Sequence, residues 1–371
     1  MPGATATRTG SPGSRATGVV SGFVLKLARR SANLTQEALA HTLAVDVSTI
    51  QGWESGRRPL AAMHAGEFLR LSGRLARLGA PPSTGRHLRE AIEADLVIAT
   101  GVTAADTPVD ATVHPLAAGV HRKTITNLIT WPLTAQLPQH LHPFATAARR
   151  RGPAADSPVL RPDDRLRFLD HLLMTAQRST RPADALLRRQ AVYLLGFDPR
   201  PHVVDWLRRE EQRASRRAPT PGDLTGLLEA RSASVALASA GDPSRLYDFV
   251  EHTTDSRSEL ANLNYWAYWI GEYPDEQIDD TFMLDDNRPW VGQRLLAHLV
   301  QRLEPDAAHL PLNLHTLHAL IAARPSLLTG RPAARTPIAT ALDRLADVED
   351  RPRSVREQIA GLQYALRIAA H

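Results

Sequence analysis

A chain of 371 residues is long enough for two or three domains, each able to bury a core, and the absence of cysteine excludes disulfides and thiolate metal sites. No stretch approaches the roughly 18 apolar residues of a membrane-spanning helix, and the first 22 residues lack the apolar run of a signal peptide, so a cytoplasmic protein with no membrane partner is expected. The net charge of +5 is unevenly held: residues 1–80 carry ten basic and four acidic side chains, which leaves the remainder close to neutral and puts the cationic surplus where phosphate neutralisation would use it.

Residues 1–17 are small, polar and rich in Gly and Pro, a composition that cannot bury a core, and a disordered arm is expected there. Arg8 and Arg15 fit either a DNA-following arm or a passive tail. The segment 34–59, LTQEALAHTLAVDVSTIQGWESGRRP, is the most specific in the chain. Thr35 is an N-cap for a helix through Gln36, Glu37, Ala38, Leu39, Ala40 and Leu43. Asp46 is expected to cap a second helix that runs to Ser55 and is stopped by Gly56, Arg57, Arg58 and Pro59. Only Ala44 and Val45 lie between them, so the helices must cross steeply, and small Ala40 suits that crossing. Leu39, Leu43, Val45, Ile50 and Trp53 are then expected in one small core, with Ser48, Gln51 and Gly52 on the outer face.

Any two amphipathic helices with a short turn make a helical hairpin, but residues 22–78 resemble the helix-turn-helix of the xenobiotic response element (XRE) family, which includes the phage repressor and Cro type. The resemblance runs through Leu25, Leu27 and Arg29, then Leu34-Thr35-Gln36-Glu37-Ala38-Leu39-Ala40, and ends at Ile50, Trp53-Glu54 and Gly56. It implies a five-helix-type DNA-binding domain at 18–80, with the recognition helix Asp46 to Ser55 in the major groove of double-stranded DNA. It also implies that Arg29 pairs with Glu54 as a structural ion pair and that Gln36 bonds a DNA phosphate. Three positions depart from the family. Asn33 and Ala44 stand where glycine is usual, and a left-handed alanine would cost about 1–2 kcal/mol. Gly52 replaces a long polar side chain, so base readout is left to Val47, Ser48 and Gln51, with Arg57 and Arg58 on phosphates.

After Pro59 one long helix is expected through Leu60, Met63, Phe68, Leu69, Leu71, Leu75 and Leu78, followed by a boundary at 80–85. Beyond it the apolar period is helical nearly everywhere, with expected helices at 87–99, 116–131, 164–176, 183–195, 202–214, 224–240, 244–252, 260–270, 290–303, 314–323, 338–348 and 355–369. The fold class is therefore all-α: a helix-turn-helix domain and an all-helical regulatory or dimerisation domain over 86–371, with a subdivision near 152–162. Short Pro- and Gly-containing breaks suggest tetratricopeptide-like or irregular helical pairs without a fixed repeat. Segments 114–132 and 186–199 also resemble regions that follow the DNA-binding domain in bacterial XRE-type regulators.

The catalytic motifs are missing: there is no P-loop, GxGxxG, GxSxG or HExxH, and the paired carboxylates at 163–164, 275–276, 279–280 and 285–286 flank helix ends without a nucleophile beside them. No enzyme activity and no cofactor are expected. The best histidine set, His315 and His318 with His309, lacks an acidic or cysteine ligand at a recognisable offset, and His140 and His142 read as loop, so no metal site is expected. Five aromatic residues fall in nine positions, Tyr265, Trp266, Tyr268, Trp269 and Tyr273. They read either as helix packing or as a ligand or interface patch.

Together these features describe a bacterial sequence-specific transcriptional regulator, a homodimer on two half-sites, whose helical domain senses a peptide or small-molecule effector or makes the dimer. The joining of helix-turn-helix and helical pairs is similar in arrangement to peptide-responsive regulators. A DNA-tethered protein-interaction scaffold without a ligand, and an enzyme within the helical domain, are the alternatives.

Overall fold

The computed structural model of the 371-residue chain describes residues 18–104, 109–119, 121–147, 156–217, 223–273, 275–287, 290–329, 332–347 and 352–370. The arm expected at 1–17 and the break at Gly152-Pro153 lie outside them. Among the described residues the regular elements are helices and none is a strand, as the helical periodicity implies. The chain forms two compact units, Met1–Thr175 and Ala176–His371.

In the first unit α1 (Val19–Ser31) is the spine. Its sequence VVSGFVLKLARRS is apolar on nearly every side, ten of its 13 residues are buried, and a helix of that kind must be covered all round. The next helices, α2 (Gln36–Leu43), α3 (Val47–Glu54) and α4 (Ala65–Arg77), include α3 packed directly on α1. Then follow α5 (Thr84–Ala104), α6 (Pro115–Ala118), α7 (Lys123–Thr134) and α8 (His142–Ala147), of which α5, α7 and α8 also pack on α1. The break expected at 80–85 is a short turn between α4 and α5. Phe23 of α1 meets Trp131 of α7 edge to face at 5.1 Å between ring centroids.

Asp95 of α5 closes the start of α1. Gly18, at the N-cap, has no side chain to offer, and the Asp95 carboxylate instead accepts hydrogen bonds from Val20 N at 2.8 Å and Ser21 N at 2.9 Å. Two orphan donors of the first turn are thereby satisfied from a residue far along the chain. Burial pushes the Asp95 carboxyl up to about 6, against the pull of its bonds to Ser21 and Val20.

Two of the expected helices are divided. The helix expected over 60–78 begins as a 3-10 turn, Leu60–Ala62, and the extended backbone of Met63 and His64 separates it from α4. The helix expected over 116–131 is cut after Ala118, leaving α6 and α7.

The unit boundary falls within α9 (Pro162–Arg178), and the second unit continues through α10 (Ala185–Leu195), α11 (Pro201–Arg217), α12 (Leu224–Ser239), α13 (Ser244–Glu251) and α14 (Ser256–Ile270). Helix α12 touches α10, α11, α13 and α14, which its small residues Ala230, Ala233, Ser234, Ala236 and Ala238 permit. A Cβ at Gly196 would stand 2.8 Å from the Ala236 Cα, so the backbones there are in direct contact. Then come α15 (Gln293–Val300), α16 (Leu310–Ala323), α17 (Ser326–Thr329), α18 (Pro332–Ala346) and α19 (Arg353–Ile368). Contacts of α16 with both α13 and α19 join helices distant in order, so these are irregular helical pairs and not a one-dimensional stack.

Candidate nucleic-acid interface

Most of the local signals that shape the α2–α3 hairpin act as expected, and Asp46 does not. Thr35 Oγ1 accepts from Ala38 N at 3.1 Å and caps α2. Asn33 is left-handed at φ 58°, with Leu34 N donating to Arg29 O at 3.1 Å across the end of α1. Ala44 is left-handed too, φ 54° and ψ 46°, and Val45 N reaches Ala40 O at 3.1 Å. Both ends are thus closed by the left-handed cap that glycine would otherwise make. Asp46 stands at the N-cap of α3 with extended backbone, but its side chain makes no capping bond, which corrects the expectation that it caps α3. Leu39, Ala40 and Ile50 are buried, while Leu43, Val45 and Trp53 are only half-buried at the margin of this core.

Arg29 and Glu54 come together as the family resemblance implies. Arg29 Nε lies 2.6 Å from Glu54 Oε1 and Arg29 Nη2 3.1 Å from Glu54 Oε2, a two-pronged pair whose side chains are 9% and 5% exposed. Arg29 Nη1 also donates to Leu34 O at 2.6 Å, so one guanidinium ties α1, the α1–α2 turn and the end of α3. The helices can approach because residue 22 is glycine: a Cβ there would lie 2.9 Å from Glu54 O and closer still to Trp53 O. Gln36 joins the same network, its Nε2 donating to Glu54 Oε2 at 2.7 Å. One amide hydrogen of Gln36 is therefore engaged inside the domain, and the other is what remains for a phosphate.

On the outer face Ser48 and Gln51 are exposed and Val47 is half-buried. Gly52 is buried, contrary to its expected place on the open face. The left-handed Gly56, at φ 72°, turns the chain back so that Arg58 N donates to Gly52 O at 3.0 Å and the Arg58 side chain runs over residue 52. Arg58 Nη1 ends on Thr49 Oγ1 at 2.9 Å. A cation expected on the DNA backbone is thereby laid along α3 beside Gln51. Arg57, exposed, points elsewhere, with Nε donating to Ser55 Oγ at 3.2 Å. Thr49 had no signal of its own in the sequence, because its part depends on where Arg58 folds.

The second unit draws the aromatic residues inward. Tyr268 and Tyr273 are buried, and Tyr265, Trp266 and Trp269 are half-buried against the same core, so packing absorbs most of the expected patch. The organising residue is Asn264, which sequence reasoning passed over. Its Oδ1 accepts from Tyr273 Oη at 2.9 Å and Trp290 Nε1 at 2.8 Å, and its Nδ2 donates to Met283 O at 2.9 Å and Asp285 O at 3.1 Å. That uses all four of its hydrogen-bonding positions to pin the segment after α14. His309, Nε2 3.1 Å from Ser239 Oγ, is engaged apart from His315, which burial, with His318 nearby, holds down to about 4. A cavity of about 620 Å³ opens among α11, α12, α13 and α14, lined in part by Glu211, Arg216, Arg245, Asp255 and Arg257. Glu211 Oε1 accepts from Ser215 Oγ at 2.6 Å, while its buried Oε2 has no hydrogen bond and lies 3.8 Å from Arg245 Nε.

A polar helical face leading with Ser48 and Gln51, braced by a buried ion pair to the preceding helices, is the way a helix-turn-helix protein presents itself to DNA. The family comparison agrees: residues 25–65 match the model described as helix-turn-helix, from within α1 to the first residue of α4. This segment is a helix-turn-helix of the XRE type, and the protein carries the DNA-binding domain of such a regulator. No curated protein and no solved structure matches the chain. Among the described residues, no helix is long and apolar enough to cross a membrane.

Proposed function

We propose that the protein is a sequence-specific transcriptional regulator that lays α3 in the major groove of double-stranded DNA. The observation that carries this reading is the exposure of Ser48 and Gln51 on α3 together with exposed Arg58 laid over the neighbouring Thr49 and Gly52. Gln51 is suited to adenine, Val47 to a thymine methyl, and Arg58 to the O6 and N7 acceptors of guanine. Arg58 thus supplies the long polar side chain that Gly52 lacks, while Arg57 and the remaining amide hydrogen of Gln36 hold phosphates. A homodimer reads two half-sites about 34 Å apart. The cavity among α11–α14 is the effector site, for a peptide or small molecule bearing a cationic group for Glu211 and an anionic one for the arginines. Of the lining carboxylates, Asp255 is engaged in capping α14, accepting from Arg257 N and Ser258 N at 3.1 Å each.

The test is selection of full-length protein on random duplex DNA. Enrichment of a palindromic motif is expected, with Gln51→Ala and Arg58→Ala each losing preference at one position of the half-site. No enriched motif would overturn the reading, and an unchanged motif for Arg58→Ala would remove Arg58 as a reader.

A further inference from the structure

Among the described residues, one gathered set of ligating side chains lies on α5 and the turn before α8. His87 and Glu90 stand one turn apart on α5, both buried, with His87 Nδ1 2.9 Å from Glu90 Oε2. The 3-10 turn Gln139–Leu141 then brings in His140, whose ring centroid is 4.9 Å from that of His87. One donor atom from each of His87, Glu90 and His140 falls within 4.8 Å of the others. His140 Nε2 is buried and has no hydrogen-bond partner, although buried polar nitrogens are nearly always bonded. Phe144 closes another side, its ring edge to face with His87 at 5.8 Å.

We infer that His87, Glu90 and His140 form a divalent-metal site of the zinc type, with a fourth position open to water or a small ligand. Two imidazoles and one carboxylate are a zinc donor set, and zinc bonds of about 2.0–2.1 Å require donors about 3.3 Å apart in a tetrahedron. His87 Nδ1 and Glu90 Oε2 are already near that separation, so the closing movement falls to His140, on a short turn. Metal binding replaces the hydrogen bond between His87 and Glu90: the neutral imidazole keeps its one ring proton on Nε2, and Nδ1 and the carboxylate oxygen both coordinate. The buried Nε2 of His140 gains the partner it lacks. The site clips the turn before α8 to α5; α5 and α8 both pack on α1, which carries Arg29 and its bond to Glu54 of α3. Occupancy by metal therefore stiffens the support of the recognition helix.

Metal binding at this site is measured without DNA, so its outcome is independent of the DNA-binding role. Full-length protein is stripped with a chelator and titrated with Co²⁺ by visible spectroscopy and with Zn²⁺ by calorimetry. One saturable equivalent is expected, with the intense ligand-field bands of low-coordinate cobalt. His140→Phe keeps the ring packing and should weaken binding at least about 100-fold, with an unchanged circular dichroism spectrum. Glu90→Gln should weaken it too, and His318→Ala should not. Absence of a saturable equivalent, or its retention in His140→Phe, overturns the site.

Discussion

Arg58 fills the space that Gly52 leaves on α3: a Cβ on Gly52 would stand 3.1 Å from both Cγ and Cδ of Arg58. The two positions are therefore coupled. Gly52→Gln should lift Arg58 from the helix and replace a preference for guanine by one for adenine, a change of about 1–3 kcal/mol at that base pair. Competition binding with duplexes differing at one pair measures it. The wild-type preference persisting in this variant would show that Arg58 does not read the base beside residue 52.

Arg57 should behave differently, since it is exposed and lies off the recognition face. Arg57→Ala is expected to weaken binding to all sequences alike and to lower the slope of log affinity against log salt by about one. Titrations at several salt concentrations decide this, and an unaltered slope removes Arg57 from the phosphate contacts.

Glu54→Ala leaves the Arg29 guanidinium buried beside Leu34 O with no counter-charge and deprives Gln36 of its acceptor. Breaking a buried pair in this way costs about 3–5 kcal/mol. Because the chain has two compact units, the loss should be local. Hydrogen exchange on the full chain is expected to accelerate in α1, α2 and α3 while α10–α19 stay protected. Wild-type protection in α1–α3 would show that the pair contributes little.

At the α2–α3 turn the expected change is a gain. Ala44 pays for a left-handed backbone at φ 54°, which glycine adopts freely. Ala44→Gly should stabilise the hairpin by about 1 kcal/mol, after allowance for glycine's greater freedom when unfolded. Slower hydrogen exchange of the α2 and α3 amides is the readout, and faster exchange would contradict it.

Asp95 makes stability depend on pH. Its folded pKa of about 6 lies above the ordinary 3.8, so the native state holds the proton longer than the unfolded state. The contribution is full below pH 3.8, declines between 3.8 and about 6, and is gone above that, amounting to about 3 kcal/mol across the window. Asp95→Asn, which cannot ionise, should remove that decline from the pH profile of denaturant midpoints for the first unit. A variant profile identical to wild type would mean that Asp95 titrates at its ordinary pKa.

What the sequence determined by itself was local. The helical period, Thr35 as a cap, Asn33 as a left-handed end and Gly56 as a stop are all set by interactions within a turn or two, and each acts as its residue type dictates, whereas Ala44 is left-handed against its type because the short turn requires it. Arg29 with Glu54 was legible only through family resemblance, since nothing in their spacing joins them. Tertiary structure alone decided the rest. Asp95 capping Val20 and Ser21, His140 arriving beside His87, and α5, α7 and α8 covering α1 all depend on which apolar faces find each other, and hydrophobic burial is non-directional. Even Arg58, six residues from Gly52, could not be assigned to α3 from sequence. Its path depends on the left-handed turn at Gly56 and on the space that a missing side chain leaves.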